Sequence, residues 1–283
     1  MTMPSFLRVM TVMLLTCLAA CGNGDRKWWE GDRKIPIEER TAEEIYQIAE
    51  TQMAEDDFDK AAKTFSEIER LYPYSEWAER ALLMQAFAAH QDKDYDTSRG
   101  AAQRYLDFYP ASESAAYAQY LVALSYYDQI DDVGRDQAVT VEALEALTLT
   151  FERYGDSEYA QPARMKFDLA FDHLASKEME VGRYYLDEEH YTAAISRFRI
   201  VIEKFQTTTH SAEALYRLVE SYLALGFDQE AQTAAAILGF NYQNTDWYAQ
   251  AFDLLRGQGL EAKMRGDNWL ARFHRESLKG QWR

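Results

Sequence analysis

The chain has 283 residues, 47 acids against 30 Lys and Arg, a net charge of −17 and 14% aromatic residues, with 19 Tyr among them. A surplus of acid on this scale excludes general nucleic-acid binding, which needs a basic face, and suits a soluble adaptor. The two cysteines, Cys17 and Cys21, sit together near the N-terminus, so the body of the chain has no disulfide framework and must hold together by packing.

Residues 1–20 read as a signal peptide. Arg8 is the only charge, and the apolar run Val9 to Ala20 that follows it falls short of the about 20 residues needed to span a bilayer. It ends Leu18-Ala19-Ala20-Cys21, a string similar to a bacterial lipobox, which predicts cleavage before Cys21 and lipid on its sulfur. The alternative is ordinary secretion with a free cysteine. Gly22 and Asn23 follow, without the aspartate that marks inner-membrane retention, which favours the outer membrane. Residues 21–40 carry Gly22, Gly24, Gly31 and Pro36 and no apolar period. They read as a flexible tether reaching about 25 Å from the lipid. Trp28-Trp29, beside Arg26 and Lys27, either lie at the headgroup layer or dock on the body of the chain.

From Thr41 to Leu255 the pattern is that of helix pairs. Thr41 and Glu44 form a capping box, and Ile45, Ile48, Ala49 and Gln52 share one face. Phe58, Ala61, Phe65 and Pro73 begin a motif that returns as Tyr95, Ser98, Ala102, Tyr105 and Tyr109, then as Thr140, Ala143, Leu147 and Tyr154. The register is clearest in the fourth pair, where Gly182, Tyr185, Ala194 and Phe198 fall at offsets of 3, 9 and 4, the spacing of small and aromatic residues in a tetratricopeptide repeat. Small residues let antiparallel helices approach, and the rings fill the space where the next pair stacks. On this register Ala194 should meet Gly182. The fourth pair opens with a long helix from about Glu158 to Glu188 and stops at Gln206; the fifth, with Tyr222, Phe227 and Ala231, runs from Ala212 to about Gly239. An amphipathic helix, Asp246 to Leu255, is the expected polar cap.

Between pairs runs Tyr-Pro-x-Ser-x-x-Ala or a relic of it, at Tyr72, Tyr109 and Tyr154, with a fourth copy from Phe205 to Ala214 that reads as carrying a two-residue insertion. Proline ends one helix and serine is expected to cap the next, with Glu76, Glu113 and Glu158 in the first turns. The sequence thus predicts an all-α, tetratricopeptide-repeat α-solenoid of about five helix pairs plus a C-terminal capping helix. Residues 256–283 form a basic tail, with Arg265, Arg272, Arg275, Lys279 and Arg283 between Trp269, Phe273 and Trp282. It is expected to be flexible or to fold on a partner.

No motif for catalysis, cofactor or metal binding is found. There is no phosphate loop and no His-Glu-x-x-His, and His90, His173, His190, His210 and His274 are scattered. The acidic loop with Asp128, Asp131, Asp132 and Asp136 fails a calcium template because Ile130 and Val133 interrupt it.

The lipobox, Tyr72-Pro73-Tyr74-Ser75, Tyr154-Gly155-Asp156-Ser157-Glu158-Tyr159, Leu174-Ala175 with Val181-Gly182 and Tyr184-Tyr185, and Glu213 to Glu220 through Leu225-Gly226 occur in this order. In this the chain resembles the BamD family, the repeat lipoproteins of outer-membrane β-barrel assembly, from Cys21 to about Leu255. It departs from the family pattern at Val122-Ala123, where an Arg-Gly pair is usual, at Asp136-Gln137 in place of Asp-Pro, and in its basic tail. The resemblance implies a non-enzymatic scaffold, anchored through Cys21 on the periplasmic face of the outer membrane. Its C-terminal repeats would grip a BamA-like barrel subunit alongside other assembly-complex lipoproteins. Its N-terminal repeats would face unfolded barrel precursors and their terminal signal. Arg197 matches the family's partner-contacting arginine on the second helix of the fourth repeat; the alternative for it is an intrachain pair with Glu189 or Glu203. Another periplasmic repeat lipoprotein, serving cell-wall synthesis, division or pilus assembly, is the competing functional reading.

Overall fold

The computed structural model describes residues 35–131 and 137–278. The chain divides into two units, Met1–Thr41 and Ala42–Arg283. Of the first, only a 3-10 turn, Ile37–Glu39, and its flanks are described, and Arg40 Nε donates to Ile35 O at 3.2 Å there. The signal, Cys21, the Trp28-Trp29 pair and Asp132 to Asp136 lie outside the described residues.

The second unit is entirely helical among the described residues. Five antiparallel pairs follow one another: α1 (Ala42–Ala54) with α2 (Phe58–Leu71), α3 (Glu76–Gln91) with α4 (Tyr95–Phe108), α5 (Ala115–Tyr127) with α6 (Ala138–Arg153), α7 (Ala160–Asp187) with α8 (Tyr191–Lys204), and α9 (Ser211–Ala224) with α10 (Asp228–Asn241). Then come α11 (Asp246–Gly257) and α12 (Trp269–Leu278). Each helix from α1 to α11 packs on its neighbour in the chain, and the first helices of adjacent pairs also touch, so the pairs stack as a solenoid capped by α11. The fold class read from the sequence is the one observed.

Two turn types alternate, each repeated with little change. Within four of the five pairs, the chain reverses through one left-handed residue: Asp56, Lys93, Glu189 or Gly226, at φ 58°, 65°, 60° and 73°. The next N–H bonds back five residues, as in His190 N to Tyr185 O at 2.8 Å and Phe227 N to Tyr222 O at 2.9 Å, closing the helix end. Only Gly226 takes this conformation without a steric penalty.

Between pairs, an aromatic residue stops the helix in a near-constant conformation: φ is −135° at Tyr72, −127° at Tyr109, −121° at Tyr154, −125° at Phe205 and −135° at Tyr242. Its carbonyl accepts from the N–H three residues on: Ser75 at 3.0 Å, Ser112 at 3.1 Å, Ser157 at 2.9 Å, Thr208 at 3.0 Å and Thr245 at 3.2 Å. The fourth copy therefore has no insertion. Thr208 holds the serine position and Ser211 the alanine position, and Tyr242-Thr245-Tyr248 is a fifth copy. The serine's role also differs from expectation. Ser75 makes no cap bond, while Ser157, Thr208 and Thr245 turn their hydroxyls back onto the preceding aromatic's carbonyl at 2.7, 2.7 and 2.8 Å; Thr245 Oγ1 also caps its helix as expected, accepting from Tyr248 N at 3.4 Å. An orphan carbonyl at the end of one helix is nearer than the amides of the next. Of the three glutamates placed in first turns, only Glu76 lies in one; Glu113 and Glu158 precede α5 and α7.

Beyond the buried Ile45, Phe65 and Ile68 of the first pair, two core clusters follow. One is centred on Leu82, Tyr105, Leu121 and Leu147 and reaches Ala163; the other is centred on Met179, Phe198, Leu215, Leu218 and Leu238. Helix α7 runs through both, with Ala163, Ala170, Ala175, Met179 and Gly182 buried along one stripe. Rings bridge the interval: Phe151 to Phe167 at 5.7 Å, Phe167 to Phe171 at 5.5 Å and Phe171 to Phe205 at 4.9 Å. The close crossing at the small residue of the fourth pair is made tightest by an aromatic ring. Ala194 is fully buried, but it is the Phe198 ring that seats on Gly182. A Cβ there would come within 2.5 Å of Phe198 Cε1.

The basic tail departs most from its reading. Trp269–Leu278 is helical, and Leu270 and Ala271 are only 1% exposed against α10 and its neighbours. Anchors at positions 269, 270 and 273 provide an apolar stripe too short to register among the surrounding charges.

Candidate interaction surface

Arg197 sits on α8 one residue before the buried Phe198, which turns it to the rim of the fourth pair. Its Nη1 lies 3.0 Å from Glu178 Oε2 on α7, and 39% of the side chain stays at the surface. Neither acid named from the sequence is the partner; Glu203 is taken by Arg199 at 2.6 Å. Glu178 was out of reach of sequence reasoning because it lies on the opposite helix of the pair. The bond uses one nitrogen of the guanidinium fork.

Along the first helices of the last repeats runs a charged ladder. Arg183 on α7 grips Glu213 on α9 through two bonds of 2.9 and 3.2 Å. Arg217 joins Glu213 at 3.3 Å to Glu220 at 2.8 Å, with its guanidinium 5.6 Å from the ring of Trp247 on α11. Tyr216 donates to Glu220 at 2.9 Å. Burial, then that carboxylate, pushes its pKa up to about 12. These bonds lock the surface shared by α7, α9 and α11 into one arrangement.

At the other end, an apolar cleft of 440 Å³ opens between the first and second pairs. Pro73 and Tyr74 come from the turn after α2, Ala78 and Leu82 from α3, and Phe108 and Tyr109 from the end of α4. Tyr74 is 100% exposed and Phe108 63%. Glu69 on its rim is held by both guanidinium arms of Arg104 at 3.0 Å. Sequence reasoning treated Tyr74 as turn punctuation. The signal available was Phe108, an aromatic one step off the core register that Tyr105 and Tyr109 follow.

Where the sequence departs from the family pattern, the third repeat is simply packed. Val122 and Ala123 are buried at 7% and 0%. Gln137 stands at the head of α6, accepting from Thr140 Oγ1 at 3.3 Å and lying 3.2 Å from His173 Nδ1. Nearby, Tyr159 lies against Tyr117 and Tyr120 with ring centroids 5.2 and 5.5 Å away, and burial raises Tyr117 to a pKa of about 12. Among the described residues, no three His, Cys, Asp or Glu side chains gather to hold a metal, and no helix is long and apolar enough to cross a membrane.

Stacked helix pairs bearing an exposed aromatic cleft at one end and a braced, arginine-rimmed surface at the other define a tetratricopeptide-type α-solenoid. Comparison with known proteins places it more closely. The family model YfiO, described as outer membrane lipoprotein, matches residues 38–237. The outer membrane protein assembly factor BamD of Caulobacter vibrioides is 41% identical over 252 residues, 89% of this chain and 81% of that one. BamD of Rickettsia prowazekii is 41% identical over 199 residues, covering 70% and 79%, and BamD of Neisseria meningitidis is 27% identical over 257 residues, covering 86% and 94%. The chain belongs to the BamD family of outer membrane protein assembly factors.

Proposed function

We propose that this chain is the lipid-anchored scaffold subunit of an outer-membrane assembly complex, tethered through Cys21 to the periplasmic face of the outer membrane. Its C-terminal repeats hold the periplasmic domains of a BamA-like barrel subunit at the rim where Arg197 projects. Its N-terminal repeats receive unfolded barrel precursors. The observation that carries the reading, beside family membership, is the cleft of Tyr74 and Phe108: two largely exposed rings stand side by side at the mouth of an apolar hollow. Exposed rings beside an apolar hollow suit transient capture of a chain that presents apolar side chains of its own. The reading includes no enzymatic step.

A photo-crosslinking residue at Phe108, introduced in cells, tests the precursor site. Adducts with newly exported barrel proteins are expected, and they should fade when Tyr74→Ser is added. Adducts with folded barrels alone, or with none, refute it. The anchor is tested by Cys21→Ala, which should leave uncleaved or soluble protein; unchanged lipid labelling and membrane fractionation would sink that part.

A further inference from the structure

Helix α12 lies across three helices of the last repeats. Trp269 Nε1 donates to Tyr222 Oη on α9 at 2.8 Å, and Arg199 on α8 stands 4.6 Å from the centre of the indole. The His274 ring meets Phe240 of α10 edge-on at 5.2 Å. Leu270 is buried and Phe273 packs on the same core, while Arg272, Arg275 and Glu276 face water. The bed is thus a groove walled by α8, α9 and α10, and α12 is an amphipathic helix laid into it, a common mode of peptide recognition.

Three features set α12 apart from the repeat helices. It does not fill its bed: a cavity of 310 Å³ remains beneath Phe273 and His274, walled by Ile202, Leu215, Ile237 and Asn241 among others. It has 10 residues, fewer than the about 12–15 that an isolated helix needs to be even marginal in water. Its connection to α11 is irregular chain, with Gly259 and Gly266 at φ 71° and 67°. That connection's bonds to α10 converge on two residues: Gln232 Nε2 donates to Glu261 O at 2.8 Å and Gln232 O accepts from Lys263 N at 3.2 Å, while Thr233 Oγ1 accepts from Arg265 N at 3.2 Å and Asn268 Nδ2 at 3.4 Å.

We propose that this groove is a helix-docking site for a partner protein, and that α12 is a resident ligand which the partner's helix displaces. The chemistry of the occupant follows from α12 itself. It is an amphipathic helix with a tryptophan whose N–H reaches Tyr222 and whose face meets Arg199, a leucine beside it, and a bulky apolar residue one turn on to enter the cavity. Tethering gives α12 an effective concentration in the mM range, so a free helix binds the intact chain more weakly than the groove alone would allow. This site is separate from the Arg197 rim and the Tyr74 cleft, and its failure would leave both standing.

The test uses the full chain and a fluorescent peptide spanning Gly266 to Leu278. Removing the resident anchors with Trp269→Ala and Phe273→Ala should tighten peptide binding at least tenfold over wild type, and adding Arg199→Glu should abolish the gain. Equal affinity for wild type and the double variant overturns the proposal, as does a gain that survives Arg199→Glu. Loss of the cooperative melt in the double variant also overturns it, since α12 would then be part of the core. A second measurement needs no variant of the protein. Saturating peptide carrying Phe273→Trp should speed amide hydrogen exchange across residues 269–276 of the wild-type chain and leave α9 protected. Unchanged exchange at saturation counts against displacement.

Discussion

Gly182→Ala is the sharpest probe of the repeat register. A methyl on Gly182 would sit 2.5 Å from Phe198 Cε1 and 2.9 Å from both Cδ1 and Cζ. Carbon pairs prefer about 3.5–4.0 Å, so ring or helix must shift by about 1 Å. Phe198 is 0% exposed, so the ring has no open side to swing into. Overpacking of this kind costs about 1–3 kcal/mol, against a gain of about 0.8–1 kcal/mol from replacing glycine inside a helix. The net expectation is a loss of about 1 kcal/mol, or about 2–4 °C in melting temperature for a chain of this size. The loss should be coupled to Phe198. In a urea-unfolding double-mutant cycle, Phe198→Leu should recover at least about 0.5 kcal/mol of the Gly182→Ala penalty. A Gly182→Ala protein as stable as wild type, or additive with Phe198→Leu, would refute the close crossing.

Arg197→Glu should melt close to wild type, because the single bond to a part-exposed Glu178 is worth under about 1 kcal/mol, yet it should lose co-purification with the barrel subunit; wild-type affinity would return Arg197 to a purely intrachain role. Glu189→Gly relieves a left-handed φ of 60° and should stabilise by about 1 kcal/mol, read as a rise in urea midpoint at constant slope. Tyr117 and Tyr216, both raised to about 12, favour the folded state while neutral. Their contribution is complete below pH 10 and is lost as pH climbs from 10 through about 12. Absorbance titration of Tyr216→Phe and Tyr117→Phe should each remove one late-ionising phenol, and a phenol lost instead near pH 10 would contradict the burial.

The repeat architecture was legible because its cause is local. Offsets such as Gly182 to Tyr185 and Ala194 to Phe198 follow from helical period, and the aromatic stop before each new pair recurs at Tyr72, Tyr109 and Tyr154. What was not legible depended on partners across space. Thr208 was passed over for Ser211 because the hydroxyl's use, a bond back to Phe205 O at 2.7 Å, has no signature in residue type. The partner of Arg197 proved to be Glu178, 19 residues away on the facing helix. The tail was read by its charge, while its position is set by Trp269, whose indole meets a tyrosine 47 residues earlier. The cleft was hidden for a related reason: an exposed aromatic and a buried one look alike until the register of α4 is seen.

Helix α7 carries a constraint of phase. It has 28 residues, about 42 Å of unbroken rod, and its first half serves the core around Leu147 while its second half serves the core around Phe198. Each residue along such a rod turns its bearing by about 100°. One residue inserted between Ala170 and Ala175 would therefore swing the Gly182 stripe a quarter-turn or more away from Phe198 while leaving Ala163 in place. Added length near that point is tolerable only in whole turns, about seven residues for two. The spacing between the cleft of Tyr74 and the rim of Arg197 is thereby geared: it can change in steps but not by gradual drift in the length of α7.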